Sequence, residues 1–356
     1  MRDRPEAPSQ VHESRGHALV RRLWQGQAPV LAAALLPAEG IFRVGQAVYH
    51  GAYDKGLLRR ARPAVPTISV GNLTVGGAGK TPVTRWLVDE LLGRGEAPAV
   101  LHGGYAADEP ALHVLWHPDV PVYAQRDRRL SALQAVAGGA SVLVLDDGFQ
   151  HRRLARDLDV VLIAAETWRA HPRLLPRGPW REPPGALARA HVVAVTRKQA
   201  SAERAAEVLA ALARRSPRAA HVQLALVPVG WRRWPALGAG ADEDVSADAG
   251  AVPRGVVVCG ISDPEAFLAN AAAAGAVLDA TLVFPDHQAY GAGTAARIRQ
   301  AAGASRVVLT TTKDAVKLAV AAPDLTIWVL EQELRVEAGA SGLATAIDRV
   351  LQAHRA

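Results

Sequence analysis

The sequence predicts an α/β protein, on three observations. Short, uniformly apolar runs alternate with helical stretches from about residue 63 onward. One run passes through a glycine-rich turn directly into a helix. A composition break at 230–254, rich in Trp, Arg, Gly, Ala and Asp, separates two such alternating series. Strands apolar on both faces belong to parallel sheets covered by helices on both sides. The prediction is a larger α/β/α lobe at 63–229, a linker at 230–254, and a smaller α/β lobe at 255–356. A basic, apolar helical segment at 1–62 precedes them.

The elements follow in order. Residues 1–15 are polar, as chain termini often are. The run 65–70 (VPTISV) reads as a strand and 80–93 as the helix after the glycine-rich turn. Runs 99–102 (AVLH), 141–145 (SVLVL), 160–164 (VVLIA) and 191–195 (HVVAV) read as strands, and 202–214 as a helix. The second series reads as strand 255–259, helix 264–274, strand 307–311, helix 313–320, strand 326–330 and a final helix 343–354. No repeat of fixed period is evident.

Residues 17–62 carry Leu19, Leu23, Trp24, Leu35, Ile41, Phe42, Val44 and Val48, interspersed with Arg21, Arg22, Arg43, Arg59, Arg60 and Arg62. Apolar faces flanked by arginine are what a helix lying on an anionic membrane needs. Ordinary packed helices with solvated arginines would give the same pattern. No apolar run reaches the ~18–20 residues needed to span a bilayer. The longest near the start, 28–36, is short, late and lacks a small-residue cleavage site.

Composition narrows the classes. The 356 residues are 49% apolar and 21% charged, which excludes a disordered tail, a fibre or a disulfide scaffold. A lone cysteine, Cys259, forms no internal disulfide. The formal charge is +7, and 36 of the 41 basic residues are arginine, as GC-rich coding produces. A basic surface suits nucleic acid, an anionic membrane or a phosphorylated substrate. No helix-turn-helix, zinc-finger or RNA-binding signature supports nucleic acid.

The strongest chemical signal is Thr74-Val75-Gly76-Gly77-Ala78-Gly79-Lys80-Thr81, between a strand and a helix. Glycines let backbone N–H groups turn inward around phosphate oxygens, and the helix start adds its positive dipole end. Lys80 suits the β- and γ-phosphates of a nucleotide, and the Thr81 hydroxyl suits Mg²⁺. This is a variant P-loop, with Thr74 where the first glycine usually stands. Asp146 and Asp147 directly follow the strand at 141–145, the place of a Walker B acid. The first lobe is thus P-loop NTPase-like, with ATP and Mg²⁺ as its expected cofactors.

Five segments then occur in a telling order: VGNLTVGGAGKTP (70–82), DDGFQHRRLARDLDVVLI (146–163), LLPRGPWREP (174–183), FPDHQAY (284–290) and TTKDAVK (311–317). Together they resemble the tetraacyldisaccharide 4'-kinases, the lipid A kinases of Gram-negative bacteria. That family's P-loop also begins with threonine. The resemblance covers roughly 65–318. It implies transfer of the ATP γ-phosphate to the 4'-hydroxyl of a lipid disaccharide 1-phosphate. It also implies a peripheral enzyme, a monomer here, on the cytoplasmic face of the inner membrane, where 1–62 meets the anionic surface. The family fold has two α/β/α lobes joined by a short β-linker, with catalysis in the cleft between.

Roles carry over by position. Asp108, in Asp108-Glu109-Pro110, matches the family's catalytic base, a carboxylate that takes the sugar hydroxyl's proton. His287 matches the FPDH histidine paired with that base, and Arg126 an arginine that steadies the transferring phosphoryl group. Lys80 joins them as a catalytic residue. Asp146 and Asp147 match the metal-associated acids, and Thr81, Glu109 and Glu182 complete the metal candidates. Departures exist. His102-Gly103-Gly104-Tyr105-Ala106 stands where the family has Ser-Arg-Gly-Tyr-Gly, and the loop from there to Asp108 is short. Gln288 follows FPDH in place of histidine, and VTRKQA (195–200) replaces an Asn-Arg-Gly segment. Alternatives are another P-loop kinase or NTPase, or a nucleotide-dependent membrane or nucleic-acid binder.

Overall fold

The structure, a computed structural model, describes residues 15–105, 108–234 and 253–355. Two compact units divide the chain. Leu19–Leu226 and Leu334–Ala356 make one, and the other is built on Val227–Glu333.

The chain begins with helices α1 (Arg15–Trp24), α2 (Pro29–Ala34) and α3 (Leu36–Asp54). Then come β1 (Thr67–Asn72), α4 (Lys80–Gly93), β2 (Pro98–His102), α5 (Asp108–Trp116), β3 (Val122–Ala124), α6 (Arg128–Ala137), β4 (Val142–Asp146), β5 (Leu158–Ala164), β6 (Val192–Arg197), α7 (Ala202–Ala213) and β7 (Ala220–Arg233). The rest are β8 (Arg254–Cys259), α8 (Pro264–Ala273), β9 (Val277–Val283), α9 (Ala292–Ala302), β10 (Val307–Thr310), α10 (Thr312–Ala321), β11 (Thr326–Ala338) and α11 (Ala340–Arg355).

In the first unit the strands run in the order β3-β2-β4-β1-β5-β6-β7, with parallel pairing between neighbours. Strands β1, β4 and β5 are buried almost throughout. On one sheet face Ile68, Val70, Val144 and Val160 pack with Val83, Leu87 and Leu91 of α4 and with Leu343, Ile347 and Leu351 of α11. On the other, Leu143 and Leu145 pack with Ala132 and Ala135 of α6, and Val161 and Val193 with Val208 and Leu212 of α7. The order places β1 between β4 and β5, so the chain leaves β1 in one direction and later passes to its other side. Ligands of open α/β sheets bind beyond the strand ends at such a switch point.

The second unit has the strand order β11-β10-β8-β9, all parallel. Val256, Val258 and Val308 pack with Ile298 of α9 and Leu318 of α10. Val257, Cys259 and Leu309 face Phe267 of α8. Helix starts follow side-chain capping: Ser201, Asp263 and Thr311 each accept a backbone N–H of the first turn. Burial pushes the Cys259 thiol up to about 12, so it is an inert packing residue.

The α/β class and the predicted strands stand, with ends moved by a few residues. Helices α5, α6 and α9 and strands β3, β7 and β9 were not foreseen; α6 begins on arginines and β9 carries Asp279 in mid-strand. Two boundaries differ. Residues 230–233 of the expected linker continue β7, while 235–252 lie outside the described residues. The expected 255–356 lobe loses its last helix, because the apolar stripe of α11 is buried against α4 in the first unit. Among the described residues no helix is long and apolar enough to cross a membrane.

Candidate active site

The glycine-rich turn joins β1 to α4, and neighbouring strands brace it. Asn72 donates through Nδ2 to Thr74 Oγ1 (3.2 Å) and to Gly76 O (3.3 Å). Thr196 on β6 donates to Ala78 O (3.0 Å). The 174–183 segment lies alongside, with Val75 N donating to Pro179 O (2.7 Å) and Thr74 bridged antiparallel to Trp180. Gly79 caps α4 at φ +82°, in the left-handed region, and a Cβ there would meet Leu226 Cδ1 at 2.7 Å. Glycine is therefore required immediately before Lys80.

The acids arrive from β4. Parallel register sets Val70 of β1 opposite Asp146, so the strand that feeds the loop and the strand that ends in the acid are adjacent. Asp147 then turns the chain at φ +53°. Arg128, itself buried, holds that turn by donating to Asp146 O (2.7 Å) and Asp147 O (2.9 Å). Lys80 Nζ lies 3.9 Å from Asp147 Oδ1, and Arg181 spans both Asp147 oxygens at 2.8 and 3.0 Å. Burial works against charge on Asp147, but Lys80 and Arg181 outweigh it and hold the carboxyl far below the usual range. Asp146 is fully buried, and burial again opposes its charge. The hydrogen bond from His113 Nε2 to Asp146 Oδ2 (3.0 Å), together with the electrostatic pull of His113, His102 and Lys80, more than offsets it, so this carboxyl too sits low. Asp146 Oδ1 is buried with no protein partner.

Asp108 begins α5, buried, its Oδ1 accepting from Glu109 N (3.1 Å), at the end of the helix that favours negative charge. Glu109 Oε2 lies 2.9 Å from His102 Nε2. Arg126 is exposed, with its guanidinium 5.8 Å from the centre of the Tyr105 ring.

Thus Lys80, Asp146 and Asp147 come together beside the loop that ends in Thr81. Comparison with known proteins decides what this arrangement is. The family model described as LpxK, tetraacyldisaccharide-1-P 4'-kinase, matches residues 31–114 and 106–352. The chain belongs to this family. A tetraacyldisaccharide 4'-kinase from Anaeromyxobacter sp. (strain Fw109-5) is 39% identical over 94% of this chain and 97% of its own. One from Syntrophus aciditrophicus (strain SB) is 36% identical, covering 84% and 89%. A crystal structure of LpxK from Aquifex aeolicus in complex with ATP aligns with a TM-score of 0.70 and 26% identity, over 90% of this chain and 99% of that one.

Other segments shared with the LpxK family prove to be internal fastenings. Glu182, a metal candidate of the sequence, is buried and ion-paired. Its Oε1 accepts from Gln150 (3.0 Å), and its Oε2 accepts from Arg189 (2.8 Å) and lies 3.0 Å from His50 of α3. Burial raises its pKa, but His50 and Arg189 win and hold it at about 2. Glu39, also on α3, accepts from Leu174 N (3.0 Å) and Arg177 (2.7 Å), so the LLPRGPWREP segment docks the amino-terminal helix.

In the second unit, His287 sits at φ +58°, with its Nε2 3.2 Å from Lys313 Nζ. Lys313 also pairs with Asp286 (3.1 Å). Asp314 is buried and receives Gly260 N (2.9 Å), Tyr290 Oη (3.0 Å) and Thr311 Oγ1 (2.9 Å). It ties FPDHQAY to TTKDAVK. The sequence alone marks none of Asn72, His113, Arg128, Arg181 and Asp314 as functional. Asn72, Arg181 and Asp314 stand inside the quoted motifs, whereas Arg128 and His113 give no local signal of burial.

Proposed function

We propose that this chain is an ATP-dependent kinase that phosphorylates the 4'-hydroxyl of tetraacyldisaccharide 1-phosphate in lipid A biosynthesis. Family membership over nearly the whole chain carries this reading, and the braced phosphate loop with its adjacent acids supplies the chemistry.

In the proposed reaction the loop's N–H groups and Lys80 bind and orient the nucleotide's phosphates. The donor set fits Mg²⁺: the Thr81 hydroxyl opens α4, and Asp146 offers a buried oxygen with no protein partner. Bound there with phosphate oxygens, Mg²⁺ would neutralise charge on the transferring group. Asp108 accepts the proton as the sugar oxygen bonds to the γ-phosphorus and the bond to the β-phosphate oxygen breaks, releasing ADP. Arg126 is assigned to steadying the transferring group, and His287 is assigned to the same reaction on its FPDH position. Asp147 is proposed to position Lys80.

The enzyme is proposed to work as a peripheral monomer on the cytoplasmic face of the inner membrane. Support comes from α3, whose Ile41, Val44 and Val48 are 64–75% exposed on one stripe.

An ATP-dependent assay with tetraacyldisaccharide 1-phosphate tests the reading. Asp108→Ala should lower turnover about 100-fold or more while ATP still binds. Wild-type turnover in that variant would refute the base assignment. Absence of lipid phosphorylation by the wild type would refute the function.

A further inference from the structure

Helix α5 carries more than Asp108. One turn on, His113 is wholly buried, with Nε2 3.0 Å from Asp146 Oδ2. Its ring meets the edge of Trp116 at 5.7 Å, and the Arg85 guanidinium of α4 lies 4.9 Å over Trp116. The imidazole is thereby held directly by β4 and, through Trp116, backed by α4. Near the start of α5, His102 Nδ1 accepts from Gly104 N (3.1 Å), so its ring proton sits on Nε2 and is donated to Glu109 Oε2 (2.9 Å). Two imidazole–carboxylate bonds therefore clamp α5, one to the end of β2 and one to the end of β4.

We propose that His113 is a positioning residue: it occupies Asp146 Oδ2, leaves Oδ1 as the oxygen for Mg²⁺ or its bound water, and locks that acid in register with the helix beginning at Asp108. The proposal rests on the reading of Asp146 as the metal-side acid. It accounts for the buried oxygen of Asp146 that lacks a protein partner. A partner that orients a metal-ligating carboxylate commonly governs metal affinity without touching the metal.

The test compares wild type, His113→Leu and His113→Gln. Binding of a fluorescent ATP analogue is titrated with MgCl₂, thermal unfolding is recorded, and kinase rates are measured alongside. His113→Leu should raise the Mg²⁺ concentration for half-saturation about 10-fold or more. Affinity for the analogue without metal should stay within about two-fold, because the polar bond of His113 goes to Asp146 and its ring contact to Trp116 rather than to the phosphate loop. Glutamine, whose amide nitrogen reaches about as far as Nε2, should bring the half-saturation back to within about three-fold of wild type. If His113→Leu does not fold, His113→Asn, with its amide about one bond shorter, takes its place and should show the same rise. A folded Leu or Asn variant with wild-type Mg²⁺ dependence overturns the proposal, as does a folded Gln variant as impaired as Leu. Failure of the kinase reading looks different: the wild type would show no Mg²⁺-dependent gain in nucleotide binding or no lipid phosphorylation.

Discussion

Single residues here divide into those whose type announces a task and those whose task depends on burial. Lys80 and Thr81 are of the first kind, because the turn before them fixes what they can reach. Glu182 is of the second. In sequence it is a carboxylate near a P-loop protein's motifs and a candidate for a metal shell. In the structure it is 1% exposed and held by His50 and Arg189. Its pKa is lowered from 4.5 to about 2, so folding favours the ionised form. That stability is fully present above the unfolded value and is lost as pH falls through the folded value. Between roughly pH 4.5 and 2 the loss should be on the order of 3 kcal/mol. Denaturant titration at pH 7 and pH 3 checks this. Wild type should exceed Glu182→Gln at pH 7, and the gap should narrow at pH 3. A gap independent of pH would contradict the ion-pair role.

At the scale of elements, strands were easier to read than helix destinations. A run such as VLVLD is buried on both faces and could be little else. Periodicity shows that a helix has an apolar face but not what covers it. Helix α3 is the clearest case, because it has two such faces. Phe42 packs on the body and Tyr53 is buried. Glu39 and His50 make the polar fastenings on that side. Ile41, Val44 and Val48, at i, i+3 and i+7, face outward. Water gives an exposed stripe of this kind nothing, whereas a lipid surface does. Replacing all three with serine should reduce partitioning onto vesicles rich in anionic lipid several-fold. Unfolding temperature should change little, since none of the three is buried. Unchanged partitioning would point back to a merely packed helix.

For the whole molecule, the sequence told two series of elements apart but misplaced where the second ends. The reason is physical. Helix α11 follows the second series in the chain, and nothing local distinguishes it from a helix of that series. Its partners lie some 250 residues upstream: Leu343, Ile347 and Leu351 share a core with Leu87, Val88 and Leu91 of α4, and Asp348 pairs with Arg94 at 2.9 Å. The first unit therefore closes only after the second has been made. The chain passes from the first unit to the second within β7 and back within β11. Helix α4 begins at Lys80, so the element that presents the lysine proposed to bind phosphate is covered by the last described helix. Removing 334–356 should strip that cover, exposing three large core side chains' worth of apolar contact at about 2–4 kcal/mol each. The expected result is loss of ATP binding and faster amide exchange across α4, with exchange in β8 and β10 of the second unit nearly unchanged. Had 255–356 been one lobe, the pattern would reverse: α4 would stay protected and the second unit would loosen. Hydrogen exchange on the truncated chain separates the two outcomes.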